Sequence, residues 1–308
     1  MQQTKQKQQS PFKTWNEQSW IRSKSLKKGE ITELPFALDM MPLVSHPEIA
    51  KDNECWLTIL AYKLLAYLKF TTLLELNYVN PVTAGIAQGR APFQPTIQQR
   101  KDALKIYCDE AGHALFTEEL AFQVRDTFKL HSSTIGRPRF ELVLKDILEE
   151  KQSPLSPELI KLFYVAISET LITKYLNHLP HHSQVDPLVR AVVADHAQDE
   201  ALHNVYYRSL FPIMWNSLTC YEKEEMGKLL PQLVCAFLEP DWEFEYRVLR
   251  QIGFNKDDAR GILEEVYIPA EVSESVRKAA SPTLKMFEEA NVFNIAAVDQ
   301  MFMDYNYR

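Results

Sequence analysis

The sequence predicts an all-α fold, a four-helix bundle core with additional flanking helices, and three observations carry that prediction. Only 8 of 308 residues are glycine, while 46% are hydrophobic and 24% charged, so long stretches hold Leu, Ala, Lys and Glu with few breakers. Apolar residues recur at helical spacing along several of those stretches. A Glu-x-x-His unit occurs twice, ninety positions apart: Glu110 to His113 in Asp109-Glu110-Ala111-Gly112-His113-Ala114, and Glu200 to His203 in Asp199-Glu200-Ala201-Leu202-His203-Asn204.

Residues 1–30 are expected to be a disordered N-terminal tail, since Met1 to Ser10 are rich in Gln and Lys without the apolar core of a signal peptide. Residues 31–308 read as one domain, approached irregularly through Pro35, Pro42 and Pro47. From about Asn53 to Tyr78, Trp56, Ile59, Leu60, Leu64, Tyr67, Leu68 and Leu74 mark a first bundle helix, with Asn80-Pro81 as its stop. Lys63, Lys69 and Glu75 interrupt this apolar segment, so it reads as a buried bundle helix and not as a membrane span.

A second helix runs from about Thr96 to Lys129, with Ala103, Ile106, Tyr107, Glu110, His113, Ala114 and Leu120 in register. Phe140 to Lys151 is a shorter helix; Ser156-Pro157 then opens another, to about His178, with Ser as cap and Pro at the first helical position. After a loop from His178 to Pro187, Leu188 to Tyr207 forms the helix of the second unit, and Pro212 is expected to kink or end it. Tyr221–Leu238, Trp242–Ile252, Lys256–Val266 and Glu271–Glu289 complete the helix candidates.

Composition narrows the function classes. The net charge of −7, with no basic block beyond Lys24 to Lys28, argues against nucleic acid. Cys55, Cys108, Cys220 and Cys235 lack C-x-x-C spacing, which excludes zinc ribbons and iron–sulfur ligation and fits a reducing, cytoplasmic compartment.

The chemistry lies in the paired units. A Glu and a His three residues apart share a helix face, so an oxygen and a nitrogen can converge on one metal ion. Carboxylate-bridged bundles take such a pair from each of two helices and one further Glu from each of the other two. Glu75 and Glu169 meet that requirement, each set in the apolar stretch of a long helix where an unpaired carboxylate is costly to bury. His196 precedes His203 by seven residues, within about 20° of two full turns, and so joins Glu200 and His203 on one stripe as a seventh candidate ligand. Four carboxylates balance two divalent cations, and oxygen plus imidazole donors suit iron first, with manganese possible.

Asp109, Asp195 and Asp199 are candidates to orient the imidazoles from behind. Gly112 beside His113 points either to close approach of another element or to plain tolerance. His178, His181 and His182 sit in a polar, Pro-bounded loop and read as solvent-facing, and no single tyrosine stands out among 13.

In this order and context, Glu75, Glu110, His113, Glu169, His196, Glu200 and His203 resemble the ligand set of the non-haem di-iron N-oxygenases typified by p-aminobenzoate N-oxygenase and related arylamine oxygenases. The resemblance implies a ferritin-like core with Glu75, Glu110 and His113 on one iron, Glu169, His196 and His203 on the other, and Glu110 and Glu200 bridging. It also implies a dioxygen-dependent monooxygenase, commonly of secondary metabolism, that oxidises the nitrogen of a small-molecule or carrier-bound amine to a hydroxylamine, nitroso or nitro group. An external electron donor and a homodimer are further implied. Two other classes share much of the pattern: a di-iron carbon hydroxylase or desaturase, typically with two histidines, and a ferroxidase or iron-binding bundle.

Overall fold

The computed structural model describes residues 10–150 and 154–308, with all side chains in that range except those of 173–175. Among the described residues the regular structure is helical, and the one extended pairing is an isolated bridge between Leu34 and Val185. Short helices α1 (Trp15–Gln18), α2 (Trp20–Ser23) and α3 (Pro47–Ala50) precede the first long helix, α4 (Asn53–Leu74). The Asp52 carboxylate caps α4 by accepting from the Glu54 and Cys55 N–H groups.

The expected stop at Asn80-Pro81 does not occur. One π-helical turn, Glu75–Val79, runs directly into α5 (Asn80–Ala87). A proline breaks a regular helix by leaving a carbonyl one turn back without its donor, and here that preceding turn is already widened. The whole stretch from Asn53 to Ala87 is long and apolar enough to cross a membrane, and half of its most apolar window is buried inside the protein.

Next comes α6 (Ile97–Phe128), held at its start by a Thr96–Gln99 capping box and ended by Lys129 in the left-handed conformation. Then follow α7 (Ser132–Ile135), α8 (Arg139–Glu149) and α9 (Pro157–Leu171), the last opened by the Ser156 hydroxyl as anticipated. Ile172 separates α9 from α10 (Thr173–His178), so the helix expected to reach His178 is divided there. Helix α11 (Pro187–Ser217) continues through Pro212, because Leu210, Phe211, Met214 and Trp215 stay buried and hold the turns around it.

The chain closes with α12 (Cys220–Leu238), α13 (Trp242–Gln251), α14 (Lys256–Val266), α15 (Pro269–Glu289) and α16 (Ala296–Asp304). The sequence reading did not anticipate α16. It seats Val298 against Gly227 of α12, where a glycine Cβ would fall 2.4 Å from a Val298 methyl. In the core, α4 and α5 lie along α6, α6 touches α11, α11 packs on α9, and α9 also meets α5, α12 and α15. Helices α4, α6, α9 and α11 thus each deliver candidate ligands to one centre.

The expectation of a tail over residues 1–30 is corrected for residues 10–30. Phe12 and Trp20 are buried, and this strap is fastened across α6 and α11 by contacts with Asp102, Asp109 and Asp199. Residues 1–9 lie outside the described residues.

Candidate metal centre

Glu75 opens the π-turn at the end of α4, Glu110 and His113 lie mid-way along α6, Glu169 sits in the last turn of α9, and His196, Glu200 and His203 occupy one stripe of α11. All seven are at most 1% exposed. Their ligating atoms fall into overlapping sets within 4.8 Å: Glu75, His113, His196 and Glu200; Glu110, His113, Glu200 and His203; and Glu75, Glu110 and Glu169. Glu75, Glu110, His113 and Glu200 each belong to two of these sets, so the sets join into one continuous cluster.

The imidazoles present different nitrogens. His113 turns Nδ1 inward, 2.8 Å from Glu110 Oε2 and 3.2 Å from Glu200 Oε1. His203 does the same, with Nδ1 2.9 Å from Glu110 Oε1, 3.3 Å from Glu200 Oε1 and 3.7 Å from Glu169 Oε2. His196 uses Nε2, 3.1 Å from Glu200 Oε1 and 3.8 Å from Glu75 Oε1. His196 thus lies beside Glu75 and His113, its ring 4.4 Å from that of His113, and not beside Glu169 and His203 as the resemblance implies; Glu169 Oε2 lies 3.7 Å from His203 Nδ1. The i and i+7 positions share a stripe but are two turns apart along it, so they face opposite ends of the centre.

Behind the centre the two motifs cross. Asp109, from the first motif, reaches Nε2 of His203 in the second at 3.4 Å; Asp199, from the second, reaches Nε2 of His113 at 3.3 Å. Each aspartate is held in turn by the strap: the Trp15 indole N–H donates to Asp109 at 2.7 Å, and the Trp20 backbone N–H donates to Asp199 at 3.1 Å. Asp195 is not part of this arrangement; it faces outward and pairs with Lys24, at 2.8 Å, and with Lys27. Gly112 finds its reason in the same strap, since a Cβ there would lie 3.1 Å from the Trp20 ring.

Protonation follows from burial and mutual charge. Burial pushes Glu75 well above the usual carboxylate range, and the charges of Glu110, Glu200 and Glu169 add to it. Burial, Glu200 and Glu110 likewise raise Glu169. Burial and Glu200 also press Glu110 upward, but His203 and His113 outweigh them and hold it low. For Glu200, burial is overcome by the His203 charge and by hydrogen bonds from His113, His196 and His203. Burial lowers His113 and His203, yet Glu110 and the bonds around them raise both well above the ordinary imidazole value. Burial, with the neighbouring His113 charge, lowers His196.

The fit of a cation is read from unsatisfied atoms. Both carboxylate oxygens of Glu75, both of Glu169 and Oε2 of Glu200 are buried without a hydrogen-bond partner among the described residues. Acceptors gathered so closely in a dry core match hard divalent ions.

Other sequence candidates fall elsewhere. Among the tyrosines, Tyr107 is exposed, Tyr206 donates its hydroxyl to the Gln99 carbonyl, and Tyr207 is buried near Glu169; the side chain of Tyr175 lies outside the described residues. His178 and His182 are not simply solvated: both meet Asp39, at 3.0 and 3.5 Å, away from the centre. The strap residues Trp15 and Trp20 escaped sequence reasoning, although Phe12, Trp15 and Trp20 were an available signal in an otherwise polar segment.

Fold and site together define a class: a helical bundle whose core gathers four carboxylates and three imidazoles able to hold metal. Residues 3–291 match the family model described as p-aminobenzoate N-oxygenase AurF, and the chain belongs to that family of N-oxygenases. A comparison with curated proteins found no match.

Proposed function

We propose that the protein is a dioxygen-dependent, non-haem di-iron monooxygenase that oxidises the nitrogen of an arylamine, small or carrier-bound, to a hydroxylamine, nitroso or nitro product of secondary metabolism. The observation that carries this reading is the convergence of Glu75, Glu110, His113, Glu169, His196, Glu200 and His203 on one buried point in a chain of the N-oxygenase family. Glu75, His113 and His196 would hold one ion, Glu169 and His203 the other, with Glu110 and Glu200 shared. When bound, the two ions supply the redox chemistry that activates dioxygen. In each oxygenation one atom of dioxygen enters an N–O bond and the other leaves as water; the first of them, amine to hydroxylamine, takes two electrons and two protons from an external donor.

The chain's own residues do the rest. Asp109 and Asp199 fix the tautomers of His203 and His113, keeping Nδ1 of each directed inward. Trp15 and Trp20 anchor those aspartates and cover the centre from solvent.

The test is iron per chain after anaerobic ferrous loading and desalting, followed by arylamine turnover under dioxygen with product mass determined. About two irons and oxygen on nitrogen support the reading. Oxygen on carbon would move the chain to the hydroxylases, and accumulation far beyond two irons would point to storage.

A further inference from the structure

A cavity of about 130 Å³ lies between α4, α8, α12 and α13, walled by Phe36, Tyr67, Phe70, Phe140, Phe237 and Phe244. This volume is close to the roughly 150 Å³ of an apolar cavity that accepts benzene, and because the cavity is open on one side a single ring can enter with its substituents at the mouth. Its walls interlock edge to face: Phe70 meets Phe140 at 4.6 Å and Phe237 at 5.3 Å. Tyr67 joins the cavity to the metal centre. Its ring is a wall and its hydroxyl is buried, and Thr71 and then Glu75 follow it at successive turns of the same continuous helix. On the other side, Lys63 and Pro240 also line a neighbouring cavity of about 530 Å³.

The charges around the inner cavity are already matched. Among the described residues its cations are Lys63 and Arg139. Arg139 Nη1 donates to the Cys235 carbonyl at 3.0 Å and Nη2 pairs with Glu239. Lys63 lies 3.7 Å from the buried Glu245. Asp241, the remaining charged group, accepts from the backbone N–H groups of Arg139 and Phe244. A carboxylate placed here would lose part of its hydration, would find its cations already engaged by Glu239 and Glu245, and would face Glu239 and Asp241.

Resting on the N-oxygenase reading, we propose that this cavity is the amine pocket and that it selects an uncharged, apolar, single-ring arylamine over one bearing a carboxylate. The chain therefore discriminates against p-aminobenzoate, the substrate named for its family.

The experiment is calorimetric titration of the iron-loaded full-length chain, without oxygen, using 4-aminobenzoate and its methyl ester, which share ring and amine and differ in charge and by one methyl, whose burial alone is worth only about fourfold. The ester should bind at least about tenfold more tightly; equal or tighter binding of the acid overturns the proposal. Glu239→Gln releases Arg139 and should narrow the preference. Ala66→Phe from α4 and Ala236→Phe from α12 fill the cavity from two walls, and whichever variant keeps its iron should lose the ester; retained binding would put the pocket elsewhere. Ester binding without nitrogen oxidation under oxygen defeats the activity reading and leaves the pocket standing. Oxidation of acid and ester with equal kcat/KM does the reverse.

Discussion

At the scale of single residues, the centre is organised by a crossing that motif spacing does not reveal. Asp109 stands one position before Glu110 yet serves His203, and Asp199 serves His113 from the facing helix. Aspartate to asparagine keeps the shape but removes the charge that favours the Nε2–H tautomer. Asp109→Asn and Asp199→Asn should each weaken iron retention by roughly 10–100-fold, read by competition with a chelator; wild-type retention in both would leave these contacts without a role. His196→Ala asks a different question. It removes a ligand from the set with Glu75 and His113 but leaves Glu110, Glu200 and His203 in place. Iron after loading should fall from about two toward one per chain, whereas an unchanged value would show that His196 is no ligand. Sequence made all seven candidates legible, because period and residue type suffice to place them on faces. It did not separate His196 from His203 along that face, because seven residues of helix return to the same face some 10 Å further along.

At the scale of elements, legibility followed local chemistry. The limits of α6 and α14 were readable because Thr96 and Asn255 cap them through their own side chains. The π-turn was not, since widening depends on what packs around Glu75 and not on a residue preference. The strap escaped for a related reason: Phe12, Trp15 and Trp20 are separated by polar residues with no fixed period, and only the surface of α6 and α11 gives them a register. Gly112 is the clearest trace of that surface, because Trp20 fills the space of its missing side chain. Trp20→Ala should therefore act on both stability and the centre. Removing this buried ring is expected to cost on the order of 3 kcal/mol and to speed iron release to a chelator. A lowered Tm with unchanged release would make the strap a purely structural cover.

At the scale of the whole molecule, folding, protons and metal are linked. Glu75 and Glu169 are raised above the ordinary carboxylate value and His113 and His203 above the ordinary imidazole value, so the folded chain without metal holds protons that the unfolded chain has released. For the histidines, this stability is complete below the unfolded value of about 6.5 and fades as pH rises through the folded one. For Glu75 and Glu169, stability likewise declines as pH climbs from about 4.5 toward their raised values. Glu110 and Glu200, held low, contribute stability above about 4.5 that is lost as pH falls. Stability of the metal-free protein should then be greatest on the acid side of neutrality and decrease from pH 6.5 to 9. Each proton held only by the folded chain costs about 1.4 kcal/mol per pH unit in that window. Divalent metal reverses the slope. It needs the same four side chains deprotonated, so loading displaces up to four protons, and its stabilising effect grows with pH. Melting curves with iron and with chelator should diverge steadily between pH 6 and 8, with proton release measurable in weakly buffered solution. Parallel curves, or loading without proton release, would show that metal does not bind at these carboxylates and imidazoles.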